Sequence, residues 1–522
     1  MTQLPHVDIC IVGTGASGST LAYYLSEAGL SVSCLDAGPF REPLQDFASD
    51  ELEMEKLFWN EPRISMGKDP INLSRNNSGK GVGGSAVHYT AQMLRFHHSD
   101  FKTKSIQSVG QDWPIRYEDV APYYDKIQKT LLFSGPAQFP WKPYGGKFPL
   151  PQHHDLGNNA LKFRAGCESL GMNHTVSPLA ILSAPYGNRH PCINRGFCEE
   201  GCMPDAKTTP LNSFIPLAQK NGVSIQANTR VIEVLLNNQG KIHGVRYIYN
   251  GKQFIQTANV VVLASHAIET PRLLLHSKSN LFPNGLANSS GLVGKYLMAN
   301  MNDQMIVKFD EEIRMYRGNP VQALTLDPYE EGEKTGNYAR GFLLNSYGSR
   351  PVRLARLFNE NNEHLWGETL RNFMLDYNFY GSFAMLGEML PSHENCIKLS
   401  DQVDEFGVPI PEVHMNYSKN DHSIRNAAKQ KLTELAEASG GKSFYHLKTT
   451  AHLLGGCRMG DNTNESVVNS FGQTHDVSNL FIIGTPTFVT APSANPTFTV
   501  YALALRSAEY ILEEYRKGNL IN

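Results

Sequence analysis

Val7-Asp8-Ile9-Cys10-Ile11-Val12-Gly13-Thr14-Gly15-Ala16-Ser17-Gly18 is the stretch whose reading decides the fold. Residues 7–12 form a short apolar run closed by glycines, the pattern of a buried strand. Gly13, Gly15 and Gly18 fit G-x-G-x-x-G: the first allows a tight turn, the second admits a pyrophosphate, and the third lets helix and strand pack closely. Residues 17–29 carry helical apolar spacing ending at Gly29, and 31–36 read as a second strand ending at Asp36. The whole is a βαβ unit of about thirty residues. Its helix N-terminus would offer free N–H groups to phosphates, and the Asp36 carboxylate would accept from ribose hydroxyls. This context predicts dinucleotide binding without separating NAD from FAD.

Outward from that unit, the chain has 522 residues, 41% hydrophobic and 19% charged, with a formal net charge of −3. Such a composition describes a folded, globular protein and excludes nucleic acid or an anionic membrane surface as the expected partner. No run of 18 apolar residues suggests a spanning helix. Met1 to His6 lack the charged and apolar regions of a secretory signal. Residues 40–80 read as loop-rich, and 135–160, with Pro136, Pro140, Pro143, Pro149 and Pro151, as an irregular surface excursion. Strands are predicted at 223–235, 243–248, 260–264 and 479–484, with helices near 269–276, 421–438 and 497–517. The predicted organisation is a nucleotide domain in three pieces (1–100, 216–304 and 445–522). Between them lie an irregular segment, 101–215, carrying a cysteine loop at 185–210, and a substrate-facing domain, 305–444.

Three further motifs carry chemistry. His452-Leu453-Leu454-Gly455-Gly456-Cys457 and Ser493-Ala494-Asn495-Pro496-Thr497 place a histidine and an asparagine 43 residues apart near the C-terminus. An imidazole titrates near neutrality and can accept a hydroxyl proton; an amide can orient the oxygen. Most of the 18 histidines invite a plainer reading, and His97, His98, His153 and His154 sit in polar loops. Gly79 to Thr90 is a second glycine loop. Cys192, Cys198 and Cys202 form C-x5-C-x3-C, three soft ligands within eleven residues, able to wrap an inorganic cluster. Zinc with His190 as fourth ligand, and unmetallated thiols, remain alternatives. Cys10 and Cys34 lie in strand-like runs as small buried thiols, and the eight cysteines do not make a disulfide scaffold.

Together the 13–18 loop, the 79–90 loop, Ala264 to Leu275 and the His452 and Asn495 motifs resemble the glucose–methanol–choline (GMC) family of flavin oxidoreductases. The resemblance implies an α/β fold: a GMC/p-hydroxybenzoate hydroxylase-like FAD-binding Rossmann domain plus a substrate domain with a mixed or antiparallel sheet. It implies FAD, held by Gly13, Gly15, Gly18, Asp36, Gly83, Gly84, Ser85, His88, Thr90, Val231, Gly484 and Thr497, with His452 as base and Asn495 positioning the alcohol. In some relatives a histidine at the place of His88 is bonded to flavin, in others not. The ending His276-Ser277-Lys278-Ser279 departs from the second family signature and weakens membership of the oxidase branches. The cysteine spacing resembles bacterial FAD-dependent sugar dehydrogenase large subunits, whose three cysteines bind a three-iron, four-sulfur (3Fe–4S) cluster.

The expectation is therefore a dehydrogenase for a sugar, glycoside or polyol. Electrons would pass through the cluster to a small subunit and a cytochrome or similar acceptor, in the periplasm by way of a signal-bearing partner. Residence in the cytoplasm is the alternative location. A pyranose oxidase-like enzyme using oxygen, and a flavoprotein electron carrier without turnover, are the alternative functions.

Overall fold

The computed structural model describes residues 2–73, 78–142, 147–152, 155–361 and 365–521. Met1, Pro143, His153 and His154 of the sequence reading lie outside the described residues.

Strand Val7–Val12 is followed by helix Ala16–Glu27 and strand Val32–Leu35, the predicted βαβ unit. Ile9, Cys10 and Ile11 are all fully buried, which is why the run is continuously apolar: a parallel strand covered on both faces has no solvent side. Parallel pairing continues on both flanks. Ser224–Gln226 adds beside Val32–Leu35, and the end of strand Lys252–Leu263 adds on the other side of Val7–Val12, followed by Leu480–Ile482. The stretch 223–235, read as one strand, is two. Ser224–Gln226 joins the parallel sheet, while Arg230–Leu236 pairs antiparallel with Ile242–Tyr249, itself antiparallel to the first half of Lys252–Leu263. That twelve-residue strand thus belongs to both arrangements, and 260–264 is only its end. Burial desolvates the two strand thiols and pushes Cys10 up to about 12 and Cys34 well above its ordinary value, as expected of inert small core residues.

The second large sheet is antiparallel, in the order Ser443–Leu447, Gln304–Lys308, Tyr380–Gly387, Phe342–Ser346, Ala323–Thr325 and Thr175–Val176. Met298–Met301 and Thr450–Leu454 pair with each other, and Met301 opposite Gly387 joins them to it. Alternation splits this sheet into two faces. Phe342, Leu344, Phe383 and Met385 enter an apolar core with Ile424, Ala428, Leu432 and Leu435 of helix Lys419–Ala438. That helix starts where Ser418 and Asp421 form a capping box. The other face presents Asn345, Tyr347, Ala384 and Leu386 toward the nucleotide-binding half. Helices Pro351–Glu360 and Gly367–Leu375 lie in the region read as holding only one helix. No helix among the described residues is long and apolar enough to cross a membrane.

Candidate active site

One cavity runs between the two sheets. Gly13, Gly15, Asp36, Gly84, Ser85, His88, Thr90, Val231, His452, Gly484, Asn495 and Thr497 all line it, so a single space unites residues spread over almost 500 positions. Gly18 and Gly83 do not line it. A Cβ on Gly18 would lie 1.9 Å from the Gly13 carbonyl oxygen, so Gly18 serves the approach of helix to strand. Gly83, at φ +96°, faces Val87 and shapes the second loop from behind.

The nucleotide end follows from backbone geometry. Gly13 has φ +95°, and a Cβ there would meet the Ala264 oxygen at 2.7 Å. A Cβ on Gly84 would come within 2.9 Å of the Gly15 Cα, so the two glycine loops nearly touch where a pyrophosphate must pass. The N-terminus of helix Ala16–Glu27 opens there with no side-chain cap, leaving its N–H groups for an anion. Asp36 accepts from the Thr14 amide (2.9 Å), the Thr14 hydroxyl (2.6 Å) and the Gly38 amide (3.0 Å), and thereby holds the first loop in shape. Carboxylate lone pairs remain for ribose hydroxyls. Trp59, which sequence reasoning missed, lies beneath Arg63 and Arg230, their guanidinium carbons 4.9 and 5.1 Å from the indole centroid. Burial works to raise the Glu269 carboxyl, but the cations Arg63, Arg230 and Arg272 outweigh it and hold it down to about 2. These cradles and donors fit an adenine dinucleotide.

At the other end, His452 and Asn495 meet: Asn495 Nδ2 lies 3.4 Å from His452 Nε2. The sequence gives no hint of how the histidine is aimed. Ala299 pairs with Leu453 and Asn300 with Ala451, so His452 is the extra residue of a β-bulge, at φ +55°. A bulge re-aims a side chain at the cost of backbone strain. Behind it stands Asn300, also missed from sequence. Its Nδ2 donates to the carbonyls of Gly387 (3.0 Å), Ala491 (2.9 Å) and Pro492 (3.2 Å). That fixes Asn300 Oδ1 as the acceptor 3.3 Å from His452 Nδ1. The ring proton therefore sits on Nδ1, and Nε2 keeps a lone pair toward Asn495 and the cavity. Desolvation by burial lowers the His452 pKa to about 4, so the ring is neutral at physiological pH.

His88 is 5% exposed, packs edge-on against Phe58, and has no partner for Nε2. Burial, assisted by the charge of Lys207, takes it down to about 4. Buried Lys207 donates to the carbonyls of Val87 (2.8 Å), Tyr89 (3.0 Å) and Cys198, tying the second glycine loop to the cysteine loop. Asn319 bridges the same two loops, donating to the Thr90 carbonyl (2.7 Å) and lying 3.5 Å from Cys198 Sγ. The amides of Asn194 and Lys207 donate to Cys192 and Cys202 Sγ, each at 3.3 Å. None of the three is joined in a disulfide; Cys198 is buried and Cys192 and Cys202 are half-buried. Among the described residues no group of three or more His, Cys, Asp or Glu side chains is arranged about one ion, so neither zinc ligation by the triplet and His190 nor a 3Fe–4S cluster on Cys192, Cys198 and Cys202 has geometric support here.

Comparisons with known proteins identify the family. Two family models, both described as GMC oxidoreductase, match residues 7–301 and 391–504. The chain is 30% identical to 2-methyl-1,2-propanediol dehydrogenase from Mycolicibacterium austroafricanum, over 98% of this chain and 96% of that protein. It is 29% identical to the fructose dehydrogenase large subunit from Gluconobacter japonicus, over 98% of each. Among solved structures, a formate oxidase variant from Aspergillus oryzae RIB40 superposes with a TM-score of 0.72 at 17% identity, covering 99% of this chain and 100% of that one. The chain belongs to the GMC oxidoreductase family, whose members are FAD-dependent enzymes acting on CH–OH groups.

Proposed function

We propose that this protein is a dehydrogenase oxidising a hydroxyl of a sugar, glycoside or polyol. The observation that carries the reading is the convergence of His452 Nε2 and the Asn495 amide at one point of the cavity. A hydroxyl placed between them receives an N–H from Asn495 and gives its proton to Nε2 as the carbon gives up hydride. FAD, when bound, supplies the hydride acceptor. The relatives named for a diol and for fructose support a polyhydroxylated substrate. Anaerobic bleaching of the flavin against a panel of sugars, glycosides, polyols and simple alcohols tests the reading. His452→Ala should keep FAD and slow bleaching by about 10²-fold or more, the scale for a positioned base. Near-normal bleaching in that variant would remove His452 from the chemistry.

The same proposal includes a 3Fe–4S cluster on Cys192, Cys198 and Cys202. It is supported by the donor set, three thiols in one loop each met by an N–H group, and by the two bridges from that loop to the second glycine loop. A small subunit, and a cytochrome or similar acceptor in the periplasm, complete the proposal; similarity to a protein named as a large subunit supports the first part. Anaerobically purified protein should contain about three irons per chain, and Cys198→Ser should lose them while keeping FAD and substrate bleaching. Zinc, or no metal, in the wild type would overturn this part and leave the first intact.

A further inference from the structure

Asn345 sits in strand Phe342–Ser346, 4% exposed, yet its Oδ1 has no hydrogen-bond partner in the protein. A buried amide without a partner is unfavourable and calls for an explanation. Cross-strand register shows where it points. Asn345 lies opposite Ala384, and Ala384 opposite Gln304, so the three share the face that also carries Leu386 and Tyr347. Asn345, Tyr347 and Leu386 all line the cavity that holds His452 and Asn495. The neighbouring Tyr347 hydroxyl is already engaged: it donates to Glu199 at 2.8 Å and accepts from Arg353 at 2.8 Å. Asn495 Oδ1 is a second unpartnered amide oxygen lining this cavity, but that side chain is already assigned, through its Nδ2 toward His452, to the hydroxyl under oxidation. Asn345 therefore remains as an acceptor with no assigned donor.

We propose that Asn345 is a specificity-determining residue that accepts a hydrogen bond from a second hydroxyl of the substrate, one that is not oxidised. The preferred substrate class is then a neutral polyol or sugar, and a monohydric alcohol of similar size is a poor substrate. This rests on the proposed dehydrogenase reading of the same cavity. A site built to bond a substrate hydroxyl discriminates against analogues lacking it, because its own polar group is then left unmet.

The experiment compares Asn345→Leu with wild type in three readouts: FAD content, thermal melting, and anaerobic flavin bleaching by a vicinal diol and by the monohydric alcohol of the same carbon skeleton. FAD content should be unchanged, and the melting temperature equal or higher, because an unmet polar group is replaced by an apolar one. The concentration of diol giving half-maximal bleaching should rise about tenfold, while that of the monohydric alcohol changes by less than about twofold. Asn345→Ala, which adds no bulk, should show the same selective loss. Equal loss on both substrates, loss on neither, or a drop in melting temperature with loss of FAD would each overturn the assignment. Absence of bleaching by any hydroxyl compound in wild type would overturn the dehydrogenase reading itself, a result distinct from all of these.

Discussion

His452 has to take a proton, and burial has already removed the one it would otherwise carry below neutrality. Its ordinary value near 6.5 falls to about 4 through desolvation, and Asn300 decides which nitrogen keeps the remaining hydrogen. Flavin reduction should thus be flat through neutrality and decline only as the pH approaches about 4, measured by stopped-flow bleaching at saturating substrate. Stability responds over a related window. His452 and His88 both titrate near 6.5 when unfolded and near 4 when folded. Between those values the unfolded chain binds more protons than the folded one, so stability must fall as the pH drops from 6.5 to 4. Melting temperature followed against pH should show that slope, and His88→Gln should lessen it. Asn300→Ala should retain FAD yet bleach about tenfold more slowly, because the ring is then free to hold its proton on either nitrogen.

Elements explain which parts of this site can be read from the chain alone. Val7–Val12, Ala16–Glu27 and Val32–Leu35 are legible because every level agrees: apolar run, glycine turn, helical spacing and terminal acid. Helix Thr497–Arg516 is legible from its periodicity, and its N-terminal residue lines the cavity. The bulge at His452 is not legible, since a histidine at positive φ carries no local signal and the register of Met298–Met301 against Thr450–Leu454 is a tertiary fact. Asn300 and Asn345 escape for a related reason. Each sits in an apolar strand, Met298–Met301 or Phe342–Ser346, whose pattern reads simply as core. Met298–Met301 and Thr450–Leu454, at the edges of the segments 216–304 and 445–522, pair with each other and join the antiparallel sheet. Loops contribute through Lys207, whose single ammonium serves three carbonyls from two segments. Lys207→Met should lower the melting temperature and weaken FAD retention together, since hydrogen bonds to a charged group contribute about 1.5–3 kcal/mol each. A variant that melts lower while binding FAD normally would show that the staple acts on the cysteine loop alone.

At the scale of the molecule, the cavity lies between two sheets that share one apolar core, which includes Val12, Leu263, Leu343 and Leu386, and that each carry a further core on the outer face. Ile9, Val260 and Phe481 belong to one, and Phe383, Met385 and Leu432 to another. Filling the space between the sheets with FAD should add to that shared core: at a hundredfold excess over its dissociation constant, a ligand specific to the fold adds about 2.7 kcal/mol. Scanning calorimetry should show one transition with FAD and a lower, broader one after the cofactor is stripped.

The shared cavity also sets a timetable. Gly13 leaves the ribosome early and Thr497 late, yet both are walls of one space, and Leu480–Ile482 must still slot beside a strand ending at Leu263. At about 5–20 residues per second, the first glycine loop waits roughly half a minute or more for its last neighbours. Cofactor capture is then an act of the nearly finished chain, and nascent chains stalled before residue 480 should emerge colourless, with their apolar strands open to chaperones.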